Sequence, residues 1–113
     1  NRVALMNAAV DITDSATISD TDIQTFIDRI KTSTAGFRYD SGSTTGYAPT
    51  FDEMVSATTF DIESTGPISA KKLAAATVVT LVNTYTTKVT SVDLSALASV
   101  TRSYWQPYFS FCN

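Results

Sequence analysis

Ile23, Phe26, Ile27 and Ile30 recur at i, i+3, i+4 and i+7, the spacing that puts apolar side chains on one face of an α-helix. Ser19-Asp20-Thr21-Asp22 just before them has the form of a capping box, with Asp at its fourth position. Gly36 is well placed as a stop. The spacing predicts a helix over 20–35, with Gln24, Thr25, Asp28, Arg29 and Thr32 toward solvent. Such a face needs an apolar partner, so the fold class turns on what the rest of the chain offers it.

Further helical signals follow. Residues 2–10 are mostly apolar helix formers. Thr50-Phe51-Asp52-Glu53 is a capping box that opens a helix over 51–59, with Phe51, Met54, Val55 and Thr58 on one face. After Gly66-Pro67, a helix over 68–90 would present Ala74, Ala75, Val78, Leu81, Val82, Tyr85 and Val89. From Thr77 to Thr90 ten of fourteen residues are Val or Thr, which favours strand. Alternation breaks down there, however, and the run is long for a strand, so the reading is helix. Ser91 or Asp93 caps a last helix, 94–106, whose face carries Leu94, Leu97, Ala98, Thr101, Tyr104 and Trp105 and which Pro107 ends. Residues 37–49 form a long crossover loop with Tyr39 and Tyr47 near its tip. No internal repeat is read. The predicted fold is all-α: an up-and-down bundle of four to five helices in a single domain, 1–107, with an aromatic tail, 108–113.

Composition narrows the chemistry. At 43% hydrophobic the chain is globular, and no apolar run approaches the roughly 20 residues that cross a bilayer. It is read as not transmembrane. With no His and one Cys it lacks the parts for Ser-His or Cys-His catalysis and for a CxxC site. Ser69-Ala70-Lys71-Lys72 matches the S-x-x-K nucleophile pattern, but the pattern fixes only two residues and its partner motifs are absent. Asp11-x-Thr13-Asp14-Ser15 is a partial calcium-loop pattern without the Gly or the bidentate Glu. Asp52/Glu53 and Asp61/Glu63 read as caps and solvated acids rather than acid–base pairs. The chain is therefore expected to be no enzyme and to hold no cofactor or metal.

Charge is uneven. Residues 1–67 carry ten acids and four bases, and residues 68–113 one acid and four bases. The bases do not cluster, so nucleic-acid binding is not expected. Thr, Ser and Ala total 45 residues against eight Lys and Arg, which favours an exported protein, lumenal (thylakoid) or secreted.

The expected function is a non-enzymatic accessory or structural protein docking on a protein partner or a larger membrane-associated complex. An extrinsic subunit of the photosystem II type fits by size, class and compartment, with no motif to carry the comparison. The docking residues would be Lys71, Lys72, Arg102, Trp105, Tyr108, Phe109 and Phe111, because aromatics and Arg anchor interfaces. Alternatives are a carrier of an apolar ligand lined by Met6, Met54, Phe26, Phe51, Phe60 and Tyr85, and a secreted effector or viral structural protein. Cys112 cannot form an internal disulfide.

Overall fold

In a computed structural model of the chain, residues 5–15, 17–42, 46–64, 66–82 and 91–105 are described, Trp105 by its backbone. They form a stack of parallel strands wound in the manner of a β-solenoid, which replaces the expected helical bundle. The seven-stranded sheet is built from β1 (Leu5–Met6), β2 (Val10–Thr13), β3 (Thr32–Ser33), β4 (Phe37–Asp40), β5 (Ser56–Glu63), β7 (Ala75–Val82) and β9 (Ser99–Trp105). A smaller parallel pair, β6 (Ile68–Ser69) and β8 (Val92–Asp93), makes a second face. The one helix among the described residues is α1, Asp20–Asp28, with Ser19 Oγ accepting from the Asp22 N–H.

The chain passes the large sheet five times. β1 and β2 are two segments of the first coil, β3 and β4 of the second, and β5, β7 and β9 belong to the third, fourth and fifth. Val10 pairs with Phe37, Phe37 with Phe60, Phe60 with Val79 and Val79 with Ser103. Residues at one level of successive coils thus form rows down the stack.

A repeat lies beneath this geometry. Ile27-Asp28-Arg29-Ile30-Lys31-Thr32-Ser33-Thr34 has counterparts in Phe51–Thr58, Ala70–Thr77 and Leu94–Thr101. In each, the fourth residue's N–H donates to the carbonyl of the first: Ile30 to Ile27 at 3.0 Å, Met54 to Phe51 at 3.2 Å, Leu73 to Ala70 at 3.2 Å and Leu97 to Leu94 at 3.0 Å. The next residue joins the ladder, Val55 N–H to Lys31 O, Ala74 to Val55 and Ala98 to Ala74. The i, i+3 apolar pairs expected to seed helices at 51–59, 68–90 and 94–106 are therefore single turns, each leading into a strand. Residues 2–10 likewise give β1 and β2 where a helix was expected, and α1 ends at Asp28, well short of residue 35.

The strands were obscured by a corner. In β5 the inward residues are Ala57, Phe60 and Ile62, and in β7 they are Ala76, Val79 and Leu81. Two residues separate the first inward pair, Thr58-Thr59 and Thr77-Val78, so strict alternation fails there although the strand continues. In the second coil the corner is one residue longer and holds Gly36 at φ 117°, a backbone that suits glycine.

The core runs between the two faces. Phe37 stacks on Phe60 with ring centroids 6.3 Å apart, and Phe51 meets Phe60 edge-on at 5.3 Å and Phe37 at 5.7 Å. Met54, Leu73, Ile62 and Leu81 are buried with them, and Ile23, Ile27 and Ile30 join from α1 and its exit. Phe51, Met54 and Phe60, expected to line a ligand cavity, are thus packed against core neighbours. Phe26 is 37% exposed, and Tyr85 lies outside the described residues.

Ser33 is an exception within this core. It is buried in the row of Ala57 and Ala76, and its hydroxyl has no hydrogen-bond partner. An unpaired buried hydroxyl costs about 1–3 kcal/mol. Ser33→Ala copies the next two coils and should raise stability by about 1 kcal/mol, seen as a higher urea midpoint. A lower midpoint would show that the hydroxyl is satisfied in solution.

Candidate functional site

The stacked repeats turn one residue of each triplet outward at the same level. Thr34, Thr58, Thr77 and Thr101 end the four repeats and are all exposed. Beside them runs a second row, Thr32, Ser56, Ala75 and Ser99, fixed by direct register. These residues line an open cleft of about 250 Å³ on the outer face of the sheet. Strand spacing sets the rise along each row at about 4.8 Å.

Hydrogen bonding differs along the cleft. Thr34 donates to Met6 O at 3.3 Å, Thr58 to Thr34 O at 3.0 Å and Ser56 to Thr32 Oγ1 at 3.4 Å. The Thr77, Ser99 and Thr101 hydroxyls have no partner among the described residues. The early coils therefore use their hydroxyls to tie neighbouring coils together, whereas the late coils present theirs to solvent. No charged side chain among the described residues lines the cleft.

No family model, curated protein or solved structure matches this chain.

The other outward rows carry charge. Asp11, Arg38, Asp61, Thr80 and Tyr104 share one level across the five coils. Arg38 donates to Asp11 at 2.8 Å and Asp40 at 3.3 Å and lies 3.9 Å from Glu63. Its hydrogen bond to Asp11 raises its pKa. Burial raises the pKa of Asp61, and the nearby Arg38 only partly offsets this. Arg38, Asp11 and Asp61 border a groove of about 300 Å³ beside Gly36.

The residues singled out from the sequence are scattered. Ser69 and Lys72 do not address each other: Ser69 Oγ donates to Asp52 Oδ1 at 2.7 Å, and Lys72 Nζ pairs with Glu53 at 3.4 Å. Lys31 also pairs with Glu53, at 2.9 Å, and together the two lysines lower its pKa, Lys31 most. Asp52 accepts from the Lys71 N–H as well, so the 50–53 capping box staples neighbouring coils rather than opening a helix. In the partial calcium pattern, Asp11 bonds Arg38 and Asp14 accepts from the Tyr47 N–H at 2.7 Å. Asp61 and Glu63 share the outward face of β5 on either side of the buried Ile62, with Arg38 3.9 Å from Glu63. Lys71 and Arg102 are exposed on different coils. Trp105 ends β9, while Tyr108, Phe109 and Phe111 lie outside the described residues, as do Lys88 and Cys112. No helix among the described residues is long and apolar enough to cross a membrane.

The cleft was missed because its hydroxyls are dispersed in sequence. A signal did exist. The triplets Thr-Ser-Thr, Ser-Ala-Thr, Ala-Ala-Thr and Ser-Val-Thr each follow an apolar residue by two positions.

Proposed function

We propose that this chain is a non-enzymatic binding module that docks on a neutral polysaccharide along its threonine-lined cleft. The observation that carries the reading is the in-register row Thr34, Thr58, Thr77 and Thr101, whose last hydroxyls have no partner among the described residues. A solenoid repeats one surface at a fixed rise, and such proteins bind extended ligands along that surface. The ligand that suits a row of uncharged hydroxyls and methyls is itself uncharged, hydroxyl-bearing and repetitive. The small residues at the second row let it approach the sheet backbone. Docking of this kind accords with an exported accessory protein and moves the contact from the expected lysines and aromatics to the sheet face.

Retention of the protein on a panel of neutral polysaccharides (cellulose, xylan, mannan, β-1,3-glucan) tests the reading. Thr77→Trp fills the middle of the cleft without touching the core. It should weaken binding at least about tenfold, a loss of about 1.4 kcal/mol, while Lys71→Ala/Lys72→Ala should leave binding unchanged. Absence of retention on every polymer, or loss through the lysines instead, would reject the cleft as the docking surface.

A further inference from the structure

We propose that the cleft selects acetylated sugars, with an acetyl group seated over Ala75 among the hydroxyls of Thr77, Ser99 and Thr101. This deepens the docking proposed above and rests on it. β7, which carries Ala75 and Thr77, is paired on both sides, with β5 and with β9. The seat therefore centres on the face of the sheet and not on its edge.

The hydroxyls of the cleft are not equivalent. A serine or threonine hydroxyl has one hydrogen to give and two lone pairs. Thr34 gives its hydrogen to Met6 O or Asn7 Oδ1, Ser56 to Thr32 Oγ1 and Thr58 to Thr34 O. These three can only accept from a ligand. Thr77, Ser99 and Thr101 have no partner among the described residues and keep a hydrogen to give. Beside them the row of hydroxyls is broken, because Ala75 stands where Thr32, Ser56 and Ser99 stand in the other coils. Ala75 faces outward, since its neighbour Ala76 is buried. Ser99 is one strand spacing from it, about 4.8 Å, and Thr77 is two residues along the same strand, about 6.6 Å. Ala76 pairs with Val100 and Val78 with Arg102, which sets Thr101 level with Thr77. A methyl-sized apolar spot thus has three free O–H donors around it.

An acetyl group is the complement of that spot: a methyl beside a carbonyl oxygen that accepts and gives nothing. Its methyl covers Cβ of Ala75 while its oxygen takes a hydrogen from one of the three hydroxyls. It is also uncharged, which suits a cleft lined by no charged side chain among the described residues. A bare sugar hydroxyl can pair with the same donors. It leaves the alanine methyl against a polar group, however, and must find an acceptor for its own hydrogen. Ester-linked and amide-linked acetyl groups share this chemistry.

Affinity electrophoresis against xylan before and after chemical O-acetylation tests the ester. Calorimetry with chitin and cellulose oligomers of equal length tests the amide. The acetylated member of a pair should bind about fourfold tighter, the worth of burying one methyl-sized group. Ala75→Ser puts a hydroxyl where the acetyl methyl would sit and copies Ser56 and Ser99 in the same row. With its urea midpoint kept, this variant should bind both members of the pair alike. Thr77→Val removes one donor at nearly constant shape and should narrow the preference too, whereas Lys72→Ala should keep it. A preference in one pair only assigns the linkage. Equal binding within both pairs, or a preference that survives Ala75→Ser and Thr77→Val, would overturn the acetyl seat while leaving the cleft as the docking surface. Binding to none of these polymers would reject the docking surface and the seat together.

Discussion

Phe60→Ala is expected to cost about 3–5 kcal/mol, the range for removing a fully buried aromatic ring. Phe60 has no exposed surface and lies where three packings meet, with Phe37 stacked on one side and Phe51 edge-on from the opposite wall. It also sits in β5, which bridges the short paired strands of the second coil and the long β7. Neighbours held by backbone ladders on both sides cannot close over the space left behind. A domain of ordinary stability has only about 5–15 kcal/mol in total. Urea unfolding followed by circular dichroism should therefore show either a greatly lowered midpoint or no folded baseline. A loss below about 1 kcal/mol would mean that the aromatic cluster is not the centre of the core.

A second experiment addresses the repeat itself. Ser56 pairs with Ala75, so deleting residues 56–74 removes one whole coil and brings Val55 to Ala75. β7 then meets β3 and β4 in the register β5 had, with Ala76, Val79 and Leu81 still inward. The shortened chain should fold, with a β-sheet spectrum and a lower midpoint, because stability in such stacks is a sum over neighbouring units. Deleting residues 56–73 shifts the register by one position. That shift turns Val79 and Leu81 outward, since a one-residue slip exchanges the two faces of a strand, and this variant should not fold. If both deletions behaved alike, the repeat would not be the unit of folding.

Some of this architecture was legible in the residues. The α1 segment carries enough apolar positions and a serine cap to declare itself within nine residues. The other i, i+3 pairs imitate helix because each makes one helix-like hydrogen bond, but then the chain turns straight into a strand. Phe51/Met54 and Leu94/Leu97 therefore look alike whether one turn follows or three. The run from Thr77 has a β preference that its length and its apolar residues on both sides, Val78 and Val82 against Val79 and Leu81, outweigh in the sequence; Thr77 to Val82 end β7, and residues 83–90 lie outside the described residues. The repeat was concealed by unequal coils: Thr32 to Ser56 spans 24 residues, Ser56 to Ala75 spans 19 and Ala75 to Ser99 spans 24. A search at one fixed period passes over it. The cleft was harder still, since Thr34, Thr58, Thr77 and Thr101 become neighbours only after the parallel register is known. The role of Asp52 in joining Ser69 and Lys71 depends on the same long-range pairing.

The parallel order of the coils also decides how the protein would respond to tension. Positions 5 and 105 lie in strands at opposite edges of the sheet, so a pull applied between them runs across the backbone ladder rather than along the strands. The ladder then bears the load one rung at a time, like a zip opened from its end, and not as a set of bonds sheared together. Extension would proceed in steps, each releasing about one coil of chain, and the end coils would yield before the aromatic centre around Phe60. Such a chain would be soft along its axis while keeping its middle intact.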